Sequence, residues 1–227
     1  MKQNQLIKEV KNLMDSGIGV KAKQRIKEFS EFKNHPNEKW FSELCFCLLT
    51  ANTSAEMGLR VQGKITAKQF LSLPEKKLAL ELKKAGSRFY NRRANFICSA
   101  RKFLDIKEII NSMPEKQKRN FLVKNIKGFG LKEASHFLRN TGNFNYAIID
   151  KHVWNVAKEN GLIQEKKLSK RKMENKKEKN SEEKIKLNQK NYFELEKKLK
   201  LLADQLNLSL GELDLFLWFT KTGKILK

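Results

Sequence analysis

Residues 125–154 read Asn125-Ile-Lys-Gly-Phe-Gly-Leu-Lys-Glu-Ala-Ser-His-Phe-Leu-Arg-Asn-Thr-Gly-Asn-Phe-Asn-Tyr-Ala-Ile-Ile-Asp-Lys-His-Val-Trp154. The pattern predicts a helix end, a tight Gly128-Phe129-Gly130 hairpin and a second helix carried by Leu131, Ala134, Ser135 and Leu138 at helical spacing. A Thr141-Gly142-Asn143 turn and a third helix opened by Asp150 complete the unit. Glycine at 128 and 130 supplies backbone freedom and close approach by another molecule, since it carries no Cβ. The amides of the hairpin and of the next helical turn are expected to point outward together, which makes an anion site suited to a phosphate. Lys132 falls in the first turn of that helix. Asp150 follows an apolar run, Tyr146 to Ile149, at the position of a helix N-cap. Chain reversal at 141–143 brings its carboxylate towards the Lys132 amine. Residue by residue, Lys132 equally reads as a surface lysine and Asp150 as no more than a cap.

Working outward, the chain has 48 Lys and Arg against 25 Asp and Glu, a formal charge of +23. Such a balance calls for a polyanionic partner, with nucleic acid favoured over an acidic membrane. The stretch 164–190 holds 11 basic and 5 acidic residues, so +6 of the total belongs to it and +17 to the rest of the chain. With few large apolar side chains between 165 and 183, it reads as a basic, mobile insert or a charged helix with frayed ends. Cys45, Cys47 and Cys98 have neither disulfide arithmetic nor zinc spacing, so they read as reduced core or near-core residues. No apolar run is long enough for a membrane span and no signal peptide is evident, which points to a cytoplasmic protein.

Scarce glycine and proline with abundant leucine and lysine favour helices. Leu6, Val10, Leu13 and Met14 form a stripe in a first helix, and Gly17-Ile18-Gly19 reads as a break before a second. Trp40, Leu44, Cys47, Leu48 and Ala51 share one face of a core helix after Pro36, widened by Phe41, Cys45 and Leu49. That helix ends in Thr50-Ala51-Asn52-Thr53-Ser54, which also reads as a C-cap followed by a new N-cap. Ser87-Arg88-Phe89-Tyr90-Asn91-Arg92-Arg93 pairs aromatic with basic side chains, as base stacking and phosphate contact require, although Phe89 and Tyr90 also suit a core. Ser209-Leu210-Gly211-Glu212 is a capping box. In the helix it opens, Asp214 and Trp218 lie four apart and share a face.

The hairpin with Lys132 two residues on and Asp150 beyond resembles the helix-hairpin-helix DNA glycosylase superfamily. The terminal Thr222-Gly-Lys-Ile-Leu-Lys227 and the missing four-cysteine iron-sulfur loop resemble its compact archaeal and bacterial 8-oxoguanine glycosylase branch. The resemblance covers 36–163 and 191–227. It implies an all-α fold of two closely packed helical subdomains: covering helices at 1–35, a core at 36–163 with the helix-hairpin-helix at about 115–141, the insert at 164–190, and C-terminal helices at 191–227 that complete a base pocket. It further implies Lys132 and Asp150 as the catalytic pair, with Phe89, Trp218, Asp214 and Lys227 around the base. Asn52, Lys127, Gly128, Gly130, Arg92 and Arg93 become DNA contacts. The implied activity is a glycosylase and AP lyase, a monomer acting on duplex DNA that contains 8-oxoguanine, without cofactor or metal. An oxidised-pyrimidine glycosylase and a noncatalytic helix-hairpin-helix DNA-binding protein are the alternatives.

Overall fold

The computed structural model describes residues 2–163 and 188–227. Residues 164–187, most of the basic insert, lie outside the described residues. Among those described the chain is helical throughout, with one short 3-10 turn and no strand. In order, the helices are α1 (Lys2–Met14), α2 (Gly17–Phe32), α3 (Asn37–Thr50), α4 (Ala55–Lys64), α5 (Ala67–Ser72), α6 (Glu75–Lys84) and α7 (Tyr90–Ala100). They continue with α8 (Ile106–Ser112), α9 (Glu115–Asn125), α10 (Leu131–Asn140), α11 (Lys151–Glu159), α12 (Gln189–Gln205) and α13 (Leu210–Thr222).

Local chemistry sets many of the helix starts. Ser16, Ser54, Thr66, Asp150, Asn188 and Ser209 each accept a backbone N–H with the side chain. A cap of this kind stabilises a helix by about 1 kcal/mol. The reading of Gly17 to Gly19 as a break is corrected: both residues lie inside α2, and Ser16 starts the helix. Gly19 is required because a Cβ there would sit 1.9 Å from the Met14 carbonyl oxygen.

Two apolar clusters result. α3 is buried on nearly every side and runs through the first cluster, touching α4, α5, α7, α8 and α10. α13 plays the same part in the second, against α1, α2, α11 and α12. The N-terminal helices thus share a core with the C-terminal ones. α10 belongs to the first cluster and also touches α2, so it lies along the seam. Its buried face carries Ser135, His136, Arg139 and Asn140, and Glu43 and Asp214 come to it from α3 and α13. Buried polar groups need partners, and here helices from different clusters supply them.

Candidate active site

α9, the loop 126–130 and α10 form the helix-hairpin-helix. Gly128 has φ +96, and a Cβ on it would fall 2.4 Å from the Phe96 ring of α7. The close approach that demands this glycine is therefore made by the chain's own aromatic ring. Gly130 has φ −105 and is extended, so no left-handed conformation requires it. The outward-pointing amides are also corrected in part. The Phe129 N–H donates to the Ile126 carbonyl at 3.0 Å, and the Gly130 N–H to the Glu133 carboxylate at 3.1 Å. A short acidic side chain at the third helical position satisfies the amide that a phosphate would otherwise take.

Around the hairpin, Arg92 and Lys127 both lie over the Phe96 ring, at 5.2 and 5.7 Å. Both are exposed, and Lys127 donates to Asn95. Arg93 is different. Expected as a DNA contact, it is buried, and its guanidinium donates to the Ala51 carbonyl at 2.9 Å, the Thr53 hydroxyl at 3.1 Å and the Ser87 hydroxyl at 3.3 Å. These partners belong to the two loops that present Asn52 and Phe89, both exposed and both left-handed with φ 55. Arg93 ties the loops together. Burial, with the nearby Arg88 charge adding, brings its pKa down to about 10.

A cleft of about 270 Å³ opens at the seam between the clusters. Lys132, His136 and Arg139 line it from α10, Asp214, Leu215 and Trp218 from α13, and Asp150 and His152 from the start of α11. Thr50, Thr53 and Ser54 border it after α3, and Leu226 and Lys227 close it from the terminal segment. Lys132, Asp150, Asp214, Trp218 and Lys227 thus share one cavity. Phe89 does not line it. It sits 55% exposed before α7, beneath the Arg88 guanidinium. The edge of the His152 ring meets Trp218 at 6.1 Å.

Asp150 caps α11 through Oδ1 alone, which accepts the His152 and Val153 N–H groups at 2.8 and 2.9 Å. The other carboxylate oxygen is not used by the cap. Asp214 is buried and meets the Arg139 guanidinium at 2.5 Å. Burial pushes its carboxyl up to about 7, against the pull of Arg139, and the Asp150 charge adds to the rise. The Lys227 ammonium is committed to Glu43 at 2.6 Å and lies 4.5 Å from the centre of the Phe46 ring. The other Glu43 oxygen accepts from Asn140, whose own carbonyl oxygen accepts from Arg139. A single network therefore joins Lys227 to Asp214 through α3 and α10. Burial holds the His136 imidazole well below its ordinary pKa, and the charges of Arg139 and Lys132 push the same way.

Glu43, Arg139 and Asn140 went unremarked in the sequence, and His136 read only as a scattered histidine. Two signals could have found them. Glu43 is the lone acid in the run Trp40 to Leu49, and a charge among core residues needs a partner. His136 and Arg139 follow Lys132 by four and seven positions, the spacing of one helix face.

A seam cleft with a hairpin-borne lysine and a capping aspartate defines the helix-hairpin-helix glycosylase class of fold. The comparisons narrow it. The Ogg-HhH family model, described as 8-oxoguanine DNA glycosylase, matches residues 22–186. The 8-oxoguanine DNA glycosylase/AP lyase of Methanocaldococcus jannaschii is 47% identical over 225 residues, which covers 98% of this chain and 99% of that protein. The protein of the same description from Thermotoga maritima is 40% identical, with 97% and 98% covered. The crystal structure of the Methanocaldococcus jannaschii glycosylase/lyase in complex with 15mer DNA containing 8-oxoguanine matches at a TM-score of 0.85 and 45% identity, covering 98% of this chain and all of that one. The chain belongs to the Ogg-HhH family of 8-oxoguanine DNA glycosylases.

Proposed function

We propose that this protein removes 8-oxoguanine from duplex DNA and then cleaves the strand, with Lys132 as nucleophile and Asp150 as its proton acceptor. The observation that carries the assignment is that the amine and the carboxylate, at the two ends of the hairpin unit, line the same cleft as Trp218 and Asp214. Relatives described as 8-oxoguanine DNA glycosylase/AP lyase over the full chain length support the substrate.

A base inside a duplex cannot be reached by an enzyme side chain, so the damaged nucleotide must leave the stack. A cleft of this size takes one base, with Trp218 as the stacking surface. The Lys132 amine then attacks C1′ as the bond from C1′ to the base breaks, and the electron pair leaves with the base. Asp150 accepts the proton that the amine sheds and stabilises the positive charge that develops on the sugar. Opening of the sugar ring leaves an iminium between Lys132 and C1′. Loss of a C2′ proton then expels the 3′ phosphate by β-elimination. Asp150 can serve as base and cap together because the cap occupies only one of its oxygens.

Outside the cleft, Arg92, Lys127 and the hairpin contact the DNA backbone, and Asn52 reaches into the duplex. The enzyme acts as a monomer, in the compartment that holds the DNA, which is the cytoplasm in a cell without a nucleus. Borohydride trapping tests the scheme. The protein is expected to form a covalent complex on a duplex with one 8-oxoguanine and none on an undamaged duplex, and Lys132→Gln is expected to abolish it while DNA binding persists. A complex on an oxidised-pyrimidine duplex alone would overturn the substrate. Trapping that survives Lys132→Gln would overturn the nucleophile.

A further inference from the structure

Residues 147–150 connect the hairpin unit to α11 outside any helix, and Ala147, Ile148 and Ile149 are buried. Buried backbone outside helices and sheets must find its hydrogen bonds elsewhere. α12 supplies them through two side chains. The Ala147 N–H donates to Glu196 at 3.0 Å. The Tyr192 hydroxyl donates to the Ala147 carbonyl at 2.6 Å, and the Ile149 N–H donates to the Tyr192 oxygen at 3.4 Å.

The same hydroxyl lies 3.3 Å from the Ser135 hydroxyl of α10. Tyrosine has one proton to give, and it goes to the carbonyl at the shorter distance, so Ser135 donates to Tyr192. Ser135 in turn accepts from Arg119 at 3.3 Å, and Arg119 grips Glu196 through two contacts at 2.5 and 2.8 Å. Ser135 stands one helical turn after Lys132. Ile149 stands immediately before Asp150. One hydroxyl, 2% exposed, therefore touches both the helix that carries the amine and the segment that carries the carboxylate.

We propose that Tyr192 is a positioning residue, which sets the separation of Lys132 and Asp150 by bridging Ser135 to Ala147 and Ile149. The inference rests on the catalytic roles given to that pair above. Burial pushes the Tyr192 phenol up from its ordinary value, so it remains a proton donor across the working pH range. Arg119 and Glu196 hold the bridge from behind, with the Arg119 guanidinium about equally close to the Tyr146 and Phe193 rings.

The test uses the full chain with Tyr192→Phe, Ser135→Ala and the double variant. It measures single-turnover base release, the dissociation constant for an 8-oxoguanine duplex, and the urea midpoint. Misplacement of reacting groups by a fraction of an ångström slows chemistry without weakening binding, so Tyr192→Phe is expected to slow base release by about tenfold or more. DNA affinity should stay within about twofold, and trapping should still reach its full end point at Lys132. Ser135→Ala should slow release less, and the double variant should be no slower than Tyr192→Phe, since both remove one bridge. Unchanged base release in Tyr192→Phe would overturn the inference, as would a slowing matched by an equal loss of DNA affinity. Both outcomes leave the catalytic pair intact if Lys132→Gln still abolishes trapping. Trapping that survives Lys132→Gln overturns the pair and this inference together.

Discussion

Two guanidinium–carboxylate pairs are anchored at α10 and its neighbours, and they do different work. Arg119 meets Glu196 through both of its terminal nitrogens, contacts Ser135, and faces three aromatic rings. Burial opposes its charge, but the Glu196 carboxylate, with Tyr192 and Tyr146 adding, holds the guanidinium above its ordinary value. Arg139 meets Asp214 through one nitrogen, spends its Nε on Asn140, and lies deeper. There burial prevails: the guanidinium is lowered and the Asp214 carboxyl is raised to about 7. A forked, partly solvated pair acts as a strut, while a singly bonded, fully buried pair beside Lys132 and Asp150 has its charge state left open to change.

The comparison can be broken most directly at Arg139. Arg139→Met leaves a carboxyl buried without its counter-charge, and urea unfolding should register a loss on the order of 3 kcal/mol, with base release lost as well. Asp214→Asn sharpens the contrast through pH. Because the folded state raises the carboxyl above its ordinary value, the stability it contributes is present below the usual carboxylate range and is lost as pH rises through about 7. The wild type should therefore lose stability relative to Asp214→Asn as pH is raised from 4 to 8. Parallel urea midpoints for the two proteins across that range would show Asp214 to be charged throughout.

Arg119→Lys should have a smaller effect. Replacing the fork by a point charge loses one of two contacts to Glu196, and the expected destabilisation is about 1 to 2 kcal/mol. Equal losses from Arg119→Lys and Arg139→Met would erase the distinction between strut and site. Smallest of all should be Arg93→Lys, which keeps a buried cation but cannot reach Ala51, Thr53 and Ser87 together. Slackening the loops of Asn52 and Phe89 should weaken duplex binding by about 1 kcal/mol, measured by titration with labelled DNA, while trapping at Lys132 continues.

The same division runs through what could be read in advance. Lys132 and Asp150 could be singled out because each has a local signature, a hairpin on one side and a helix cap on the other, and both line the cleft. Asp214 and Trp218 shared a face by spacing alone, and that spacing does bring both to the cleft. Phe89 and Arg93 show what a local pattern leaves open. Aromatic and basic residues in a row announce a surface for nucleic acid, but whether each faces solvent, a cleft or a neighbouring loop depends on what packs against α7. Phe89 lies outside the cleft and Arg93 beneath the loops.

By itself, the sequence determined the helices, the capping of many of them, the hairpin, the basic character of the chain and the two residues proposed to carry the chemistry. These follow from interactions that span a few positions, where dihedral preference, capping oxygens and helical periodicity act. Only the tertiary structure decided that Glu43 would hold Lys227, that Arg139 would pair with Asp214, and that Tyr192 would join Ser135 to Ala147. Each of those contacts links segments far apart in the chain, and a buried polar group is satisfied by whichever partner the packing of whole helices brings within reach.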